Sequence, residues 1–146
     1  MIKLYDYPDC PFCQKVRVVL AEKDLEFEIK PVDLRKGEQK APEFLKLNPY
    51  GKVPVLIDED VVVYDSTIIN EYLDEEYPNP LLMPEDSAGR ARVRLLEDFA
   101  DTSFTPPAGM VATATTGSKS RTFRTIWVST WRARGSRVHS SIKSRR

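Results

Sequence analysis

The sequence predicts a small α/β domain over residues 1–78, followed by the start of a helical one. Three observations carry this. Short segments that alternate apolar and polar residues take turns with segments of helical spacing. Prolines and Asx-type turns separate them. No apolar run approaches the roughly 18 residues that a membrane span needs. The chain has 146 residues, 41% of them apolar and 30% charged, which suffices for one packed domain and part of another.

Taken in order, "IKLYDY" (Ile2 to Tyr7) alternates and reads as a strand, and Pro8 and Asp9 break it. Pro11 suits the first turn of a helix, where its missing N–H costs nothing. Val16, Val19, Leu20 and Lys23 then follow helical spacing, leaving Lys15, Arg17 and Glu22 for water. "EFEIKPV" (Glu26 to Val32) is a second strand with Phe27 and Ile29 on one face. "APEFLKLN" (Ala41 to Asn48) is a short helix, ended by Asn48-Pro49 and the Gly51 turn. "VPVLID" (Val53 to Asp58) and "VVVYD" (Val61 to Asp65) form a hairpin. "STIINEYLDEEYP" (Ser66 to Pro78) is a helix, with Ile68 and Tyr72, and Ile69 and Leu73, as i, i+4 pairs. The order β-α-β-α-β-β-α implies a parallel pair joined by a right-handed crossover, plus an antiparallel hairpin. That is the layout of a thioredoxin-like fold.

Residues 79–89 read as a proline-rich linker, and 90–104 resume a helix with Leu96, Phe99 and Ala100 on one face. Near Thr105 the composition changes. Residues 1–104 hold all 22 Asp and Glu against 13 Lys and Arg, a net charge of −9. Residues 105–146 hold the other 9 basic residues and no acid, with fourteen Ser and Thr. Such a seam suggests a frameshift, a misread gene end or a truncated product. The basic residues with Phe123, Trp127 and Trp131 suit nucleic acid or an anionic surface. No nucleic-acid motif accompanies them, so a disordered tail is the expectation. A helix that opens a missing bundle is expected to leave apolar residues uncovered.

The two cysteines, Cys10 and Cys13, stand in "DCPFCQK" at the start of the first helix. Unsatisfied N–H groups and the helix dipole there favour negative charge, and a thiolate is the reactive form of cysteine. C-x-x-C beside a β-α-β pattern is a redox signal, with Cys13 one turn inside as a candidate resolving thiol. Against this, either thiol is able to pack as a small apolar side chain, Cys13 about as readily as not. A structural zinc site is a poor fit, since the remaining candidate ligand is His139, far along the chain; no metal is expected. The N-terminus has no secretory pattern, so a reducing cytoplasm is the expected setting.

"CPFCQKVRVVLAEK" together with "NPYGKVPVLIDEDVVVYDSTIINEYLDEEYP" resembles the N-terminal domain of the glutathione S-transferase superfamily. The likeness covers about residues 1–100, to the omega-like, cysteine-bearing members and the stringent starvation protein A-like members alike. Three motifs occur in order: C-P-F at a helix start, V-P before a strand, and an acidic residue plus Ser opening the third helix. The resemblance implies glutathione as cosubstrate. Cys10 matches the position facing its sulfur, and Pro54 matches a proline expected to be cis. That bond lets Val53 offer its N–H and C=O to the peptide. Asp65 and Ser66 match the pair that holds the γ-glutamyl end, where the family more often has Glu in place of Asp65. Lys40 matches a basic residue that contacts the glycyl carboxylate. Each has a plainer alternative: Asp65 or Ser66 as a helix cap, Pro54 as an edge-strand proline, Lys40 as a solvated charge. Tyr5 and Tyr7 are assigned no catalytic role.

Two functions follow from the resemblance. One is glutathione-dependent thiol transfer or conjugation with Cys10 as nucleophile, acting on a small electrophile or disulfide, with a homodimer as the natural assembly. The other is a non-catalytic module that binds RNA polymerase, as stringent starvation protein A-like members do, suggested by "STIINEYLDE" and "NPLLMPED". An inactive truncated product is the third alternative. No membrane partner is implied.

Overall fold

β1 (Ile2–Asp6) lies inside a four-stranded sheet of order β2-β1-β3-β4. The computed structural model describes residues 1–105; the basic tail expected at 105–146 lies, after Thr105, outside the described residues. Ile2 and Leu4 point to the core, buried to 4% and 0% exposure, as alternation requires. β2 (Phe27–Pro31) pairs parallel to β1, with Ile2 opposite Phe27, across the crossover made by α1 (Pro11–Glu22). β3 (Val55–Asp58) pairs antiparallel to β1, with Tyr5 opposite Val55. β4 (Val61–Tyr64) closes the hairpin, with Val55 opposite Tyr64. A short 3-10 turn at Glu38–Lys40 leads into α2 (Pro42–Leu47). α3 (Ser66–Glu76) packs beside α1, and α4 (Ser87–Phe99) follows, ending in a π-helical turn at Ala100–Phe104. Residues Met1–Asp101 form one compact unit. Among the described residues no helix is long and apolar enough to cross a membrane.

The expected element order holds, with shorter elements. β3 begins at Val55 rather than Val53, because Pro54 has no N–H to give a ladder. α4 begins at Ser87, capped by Asp86 accepting from the Gly89 N–H at 2.8 Å, inside the stretch expected to be linker. Ile29 shares a face with Leu4, its register partner, yet is 49% exposed because β2 is an edge strand.

The main core joins Ile2, Leu4, Val16, Val19, Leu20, Leu56, Ile69 and Leu73 from the sheet, α1 and α3. A second cluster, of Cys13, Val32, Phe44, Val53 and Val55, carries α2 and the functional end of the sheet. Lys23, at the end of α1, is buried among carbonyls: its Nζ donates to the Tyr77 and Pro80 oxygens at 2.6 and 2.9 Å and pairs with Asp74 at 2.8 Å. Asp74 in turn accepts from the Leu82 and Met83 N–H groups at 2.8 and 3.0 Å. Burial alone raises a carboxyl's pKa, but Lys23 and these N–H groups override it and hold Asp74 below the usual range. This pair fastens the chain after α3, including the cis Asn79-Pro80 peptide, to α1.

Lys15 and Arg17 correct the expectation that both face water. Lys15 is buried, its Nζ 2.9 Å from Glu97, 2.7 Å from Asp101 and 3.3 Å from the Thr67 hydroxyl. Arg17 is paired with Asp6. The reason is shared: α1 is covered on more than one side, and its long cationic stems run to acids on neighbouring elements. α4 joins the unit chiefly through charge, with Lys15 to Glu97, Arg94 to Glu71 at 2.6 Å and Arg90 to Glu75 at 3.6 Å. Its Leu95, Leu96 and Phe99 stay exposed, as the composition led us to expect.

Candidate functional site

Sheet direction gathers the candidate residues. β1 runs toward the turn that carries Cys10. β3 runs the opposite way, so Val53 and Pro54, just before it, emerge at the same end. β4 reverses again and delivers Asp65 and Ser66 after Tyr64, also at that end. β2, parallel to β1, brings Val32 and Asp33 there. Four segments distant in sequence thus converge on one edge of the sheet, and Cys10, Tyr5, Tyr7 and Tyr64 pack around the cluster that contains Val53 and Cys13.

Cys10 is the N-cap residue of α1, extended at φ −81°, ψ 119°, with Pro11 as the first helical residue. Its N–H donates to the Tyr7 oxygen at 3.0 Å, closing the preceding turn, and its C=O accepts from Gln14 at 3.0 Å. The sulfur closes no capping bond, so the free N–H groups of the first turn act on it as a local positive potential. Both thiols are unbridged; Cys10 is half-buried and Cys13 fully buried. Hydrogen bonding from the Cys13 thiol lowers Cys10 to about 7, helped by the Cys13 and Phe12 N–H groups and opposed by burial and the Asp6 carboxylate. The same bond, with burial and the Cys10 charge, pushes Cys13 far up. After the first ionisation the pair keeps one proton, which stays on Cys13 while Cys10 carries the charge.

The Val53-Pro54 peptide is cis, and both residues are buried. Among the described residues neither the N–H nor the C=O of Val53 is taken up by a hydrogen bond, which leaves a strand-like pair of groups for an extended ligand. Asp65 caps α3, accepting from the Thr67 and Ile68 N–H groups at 2.9 and 3.4 Å. Its φ of 76° with ψ of 127° is a conformation that almost only glycine adopts. Ser66, 3% exposed, makes no side-chain hydrogen bond among the described residues. Asp65 thus takes the cap role and occupies the Thr67 and Ile68 N–H groups, while the Ser66 hydroxyl is left without a hydrogen-bond partner among the described residues.

Lys40 is exposed, and its Nζ donates to the Tyr50 oxygen at 3.2 Å. It lies across Gly51 (φ +60°), where an added Cβ would meet the Gln39 oxygen at 2.8 Å and Lys40 Nζ at 2.8 Å. Lys40 thus borders the turn that leads to Val53 rather than joining the Cys10 cluster. The sequence reading missed its neighbour Gln39, whose Oε1 is buried without a partner among the described residues. It also missed Asp6 and Arg17, which flank the Cys10 turn. A cavity of about 310 Å³ opens between that turn and the end of β2, lined by Tyr7, Pro8, Asp9, Val32, Asp33 and Arg35 among others.

Comparison with known proteins agrees with the fold. Residues 4–81 match the family model described as glutathione S-transferase, N-terminal domain. Glutathione S-transferase Z1 of Arabidopsis thaliana is 49% identical over 90 residues, 62% of this chain and 41% of the relative. A stringent starvation protein A homolog of Haemophilus influenzae is 45% identical over 97 residues, 66% of this chain and 44% of the relative. Among solved structures, a bacterial zeta-class maleyl pyruvate isomerase superposes with a TM-score of 0.67 at 36% identity, over 71% of this chain and 49% of that one. Glutathione transferase F2 of Populus trichocarpa gives 0.67 at 35%, over 75% and 52%. The chain spans about two fifths of the length of the curated relatives it matches. With its N-terminal thiol turn, its cis-proline strand and its capped third helix, the chain belongs to the glutathione S-transferase family.

Proposed function

We propose that this chain binds glutathione along Val53 and Pro54 and uses the Cys10 thiolate for glutathione-dependent thiol transfer or conjugation. The single observation that carries the reading is Cys10, half-buried at the start of α1 and packed on the cluster that holds Val53, whose N–H and C=O have no hydrogen-bond partner among the described residues. The γ-glutamyl carboxylate meets Ser66 at the start of α3, with Asp65 holding that turn in place by its bonds to the Thr67 and Ile68 N–H groups. Lys40 borders the glycyl end. In thiol transfer, the Cys10 thiolate attacks the glutathionyl sulfur of a mixed disulfide RS–SG. The RS–SG bond breaks, RS⁻ leaves, and Cys10 carries the glutathionyl group. A second glutathione thiolate then displaces Cys10, forming glutathione disulfide. Cys13 is a weak candidate for that second attack, since its thiol is held protonated. Two free thiols suit a reducing cytoplasm, and a second copy of the chain is the assembly that suits the family.

The likeness to the Haemophilus influenzae stringent starvation protein A homolog extends over 97 residues, and it supports a second reading: a module that binds RNA polymerase, with Cys10 idle. Retention on a glutathione matrix and disulfide-exchange activity, measured on the unaltered chain and on Cys10→Ser, separate the two. The enzymatic reading expects retention by both and activity only with Cys10. Absence of retention, or activity indifferent to Cys10→Ser, overturns it.

A further inference from the structure

Outside the ligand-facing groups, one side chain links the strand before the Cys10 turn, the turn itself and the helix after it. Arg17, on the second turn of α1, pairs through Nη1 with Asp6 Oδ2 at the end of β1. Its Nη2 donates to the Pro8 carbonyl at 3.1 Å and to Gln14 Oε1 at 2.9 Å. Pro8 lies within the turn that the Cys10 N–H closes onto Tyr7. Asp6 is 2% exposed, and its other oxygen, Oδ1, is buried without a partner among the described residues. A carboxylate so placed is costly unless something balances it. Arg17 is the cation that does so, and only its planar fork reaches a carboxylate, a carbonyl and an amide together.

We infer that Arg17 is a positioning residue for Cys10: one guanidinium fastens the end of β1, the thiol-bearing turn and the start of α1, and it offsets part of the Asp6 charge that bears on the thiolate. The inference rests on the proposal that Cys10 is the reactive thiol. The groups that act on Cys10 are the Cys13 thiol with the Cys13 and Phe12 N–H groups from α1, and Asp6 from β1, with Arg17 acting through Asp6. Tyr5, Tyr7 and Tyr64 of the surrounding cluster bring phenol rings and no formal charge. Removing Arg17 leaves Asp6 unbalanced, and a negative neighbour disfavours a thiolate.

The test is the pH profile of iodoacetamide alkylation at Cys10 in the full chain, with the label located by fragment mass spectrometry and folding checked by circular dichroism. Arg17→Gln is expected to raise the midpoint by about half a pH unit to one unit, slowing alkylation at pH 7 about two- to fivefold. Asp6→Asn added to Arg17→Gln is expected to bring the midpoint back down, which a merely structural role for Arg17 would not do. Arg17→Lys keeps the charge and loses the fork, so it is expected to fall between Arg17→Gln and the unaltered chain. Should Arg17→Gln fail to fold, Arg17→Lys alone decides. A folded Arg17 variant with the unaltered midpoint and rate overturns the inference. An unaltered chain whose Cys10 midpoint lies near that of a free thiol overturns instead the reading on which the inference rests.

Discussion

Cys13→Ala tests the origin of Cys10's acidity directly. The fall from 9.0 to about 7 is what remains after burial and Asp6 have opposed it, and it has three sources: the Cys13 thiol, then the N–H groups of Cys13 and Phe12. Alanine deletes the largest and keeps the other two, because the backbone and Pro11 at the helix start are unchanged. The midpoint is therefore expected to return to about 8. At pH 7 the thiolate fraction drops from about one half to about one tenth, and alkylation at Cys10 slows about fivefold, close to 1 kcal/mol. Cys13 is fully buried, so the substitution also leaves a small void costing about 1 kcal/mol of stability. Cys13→Ser separates the two effects: its hydroxyl still donates, and the midpoint stays near 7 even if the fold is weakened. Stopped-flow alkylation from pH 5.5 to 9.5 on the three chains measures this. A Cys13→Ala midpoint still near 7 refutes the argument, and would place the acidity in the helix start alone.

Four other outcomes follow from the same geometry. Cys10 is depressed in the fold and Cys13 raised, so relative to a Cys10→Ser, Cys13→Ala chain the stability contributed by the pair should rise between pH 7 and 9 by on the order of 2 kcal/mol and fall above pH 9; denaturant titration at fixed pH values measures it, and a flat difference contradicts it. Asp74→Ala strands the Lys23 ammonium, whose side chain is 0% exposed, and should cost about 3–5 kcal/mol by urea unfolding. Asp65→Gly gives up two capping bonds but suits φ 76°, so stability should change by only about 0.5 kcal/mol while glutathione retention weakens as the α3 start loosens. Gly51→Ala drives a Cβ into the Gln39 carbonyl at φ +60°, and should cost about 1–2 kcal/mol with little change in Cys10 alkylation.

What was legible in the sequence is what local chemistry writes there. Pro11 after Cys10 marks the first helix, alternation marks β1, and the apolar pairs Ile69 and Leu73 mark the buried side of α3, each reproduced in the structure. Among the candidate site residues, Cys10 was legible from its place at a helix start, whereas Val53, Pro54, Asp65, Ser66 and Lys40 were suggested by the family resemblance and not by any local period. What alternation does not carry is the edge. Ile29 has the same pattern as Leu4, and only the strand order leaves it 49% exposed. Nor does periodicity distinguish a lysine that faces water from one that reaches an acid on another element. Lys15, Lys23 and Arg17 occupy the same helix; their partners are Glu97 and Asp101, Asp74, and Asp6, most of them far away in the chain.

Those unannounced pairs bear on how the site holds its shape. The candidate groups sit on turns at one end of the sheet, and charges largely withdrawn from solvent lie behind them. Arg17 and Asp6 back the Cys10 turn; Lys15 reaches Thr67 in the first turn of α3, next to Ser66. Because Lys15 draws its acids from Glu97 and Asp101, the start of α3 is tied to α4, a helix that joins the unit largely through ion pairs and leaves Leu95, Leu96 and Phe99 open. Ion pairs with one exposed partner weaken as salt screens them, and buried ones much less so. The Arg94–Glu71 and Arg90–Glu75 pairs are of the first kind and Lys15–Glu97 of the second. The contact between α4 and the α3 start therefore hangs on Lys15, so the helix that lies outside the matched family domain still bears on the turn that carries Ser66.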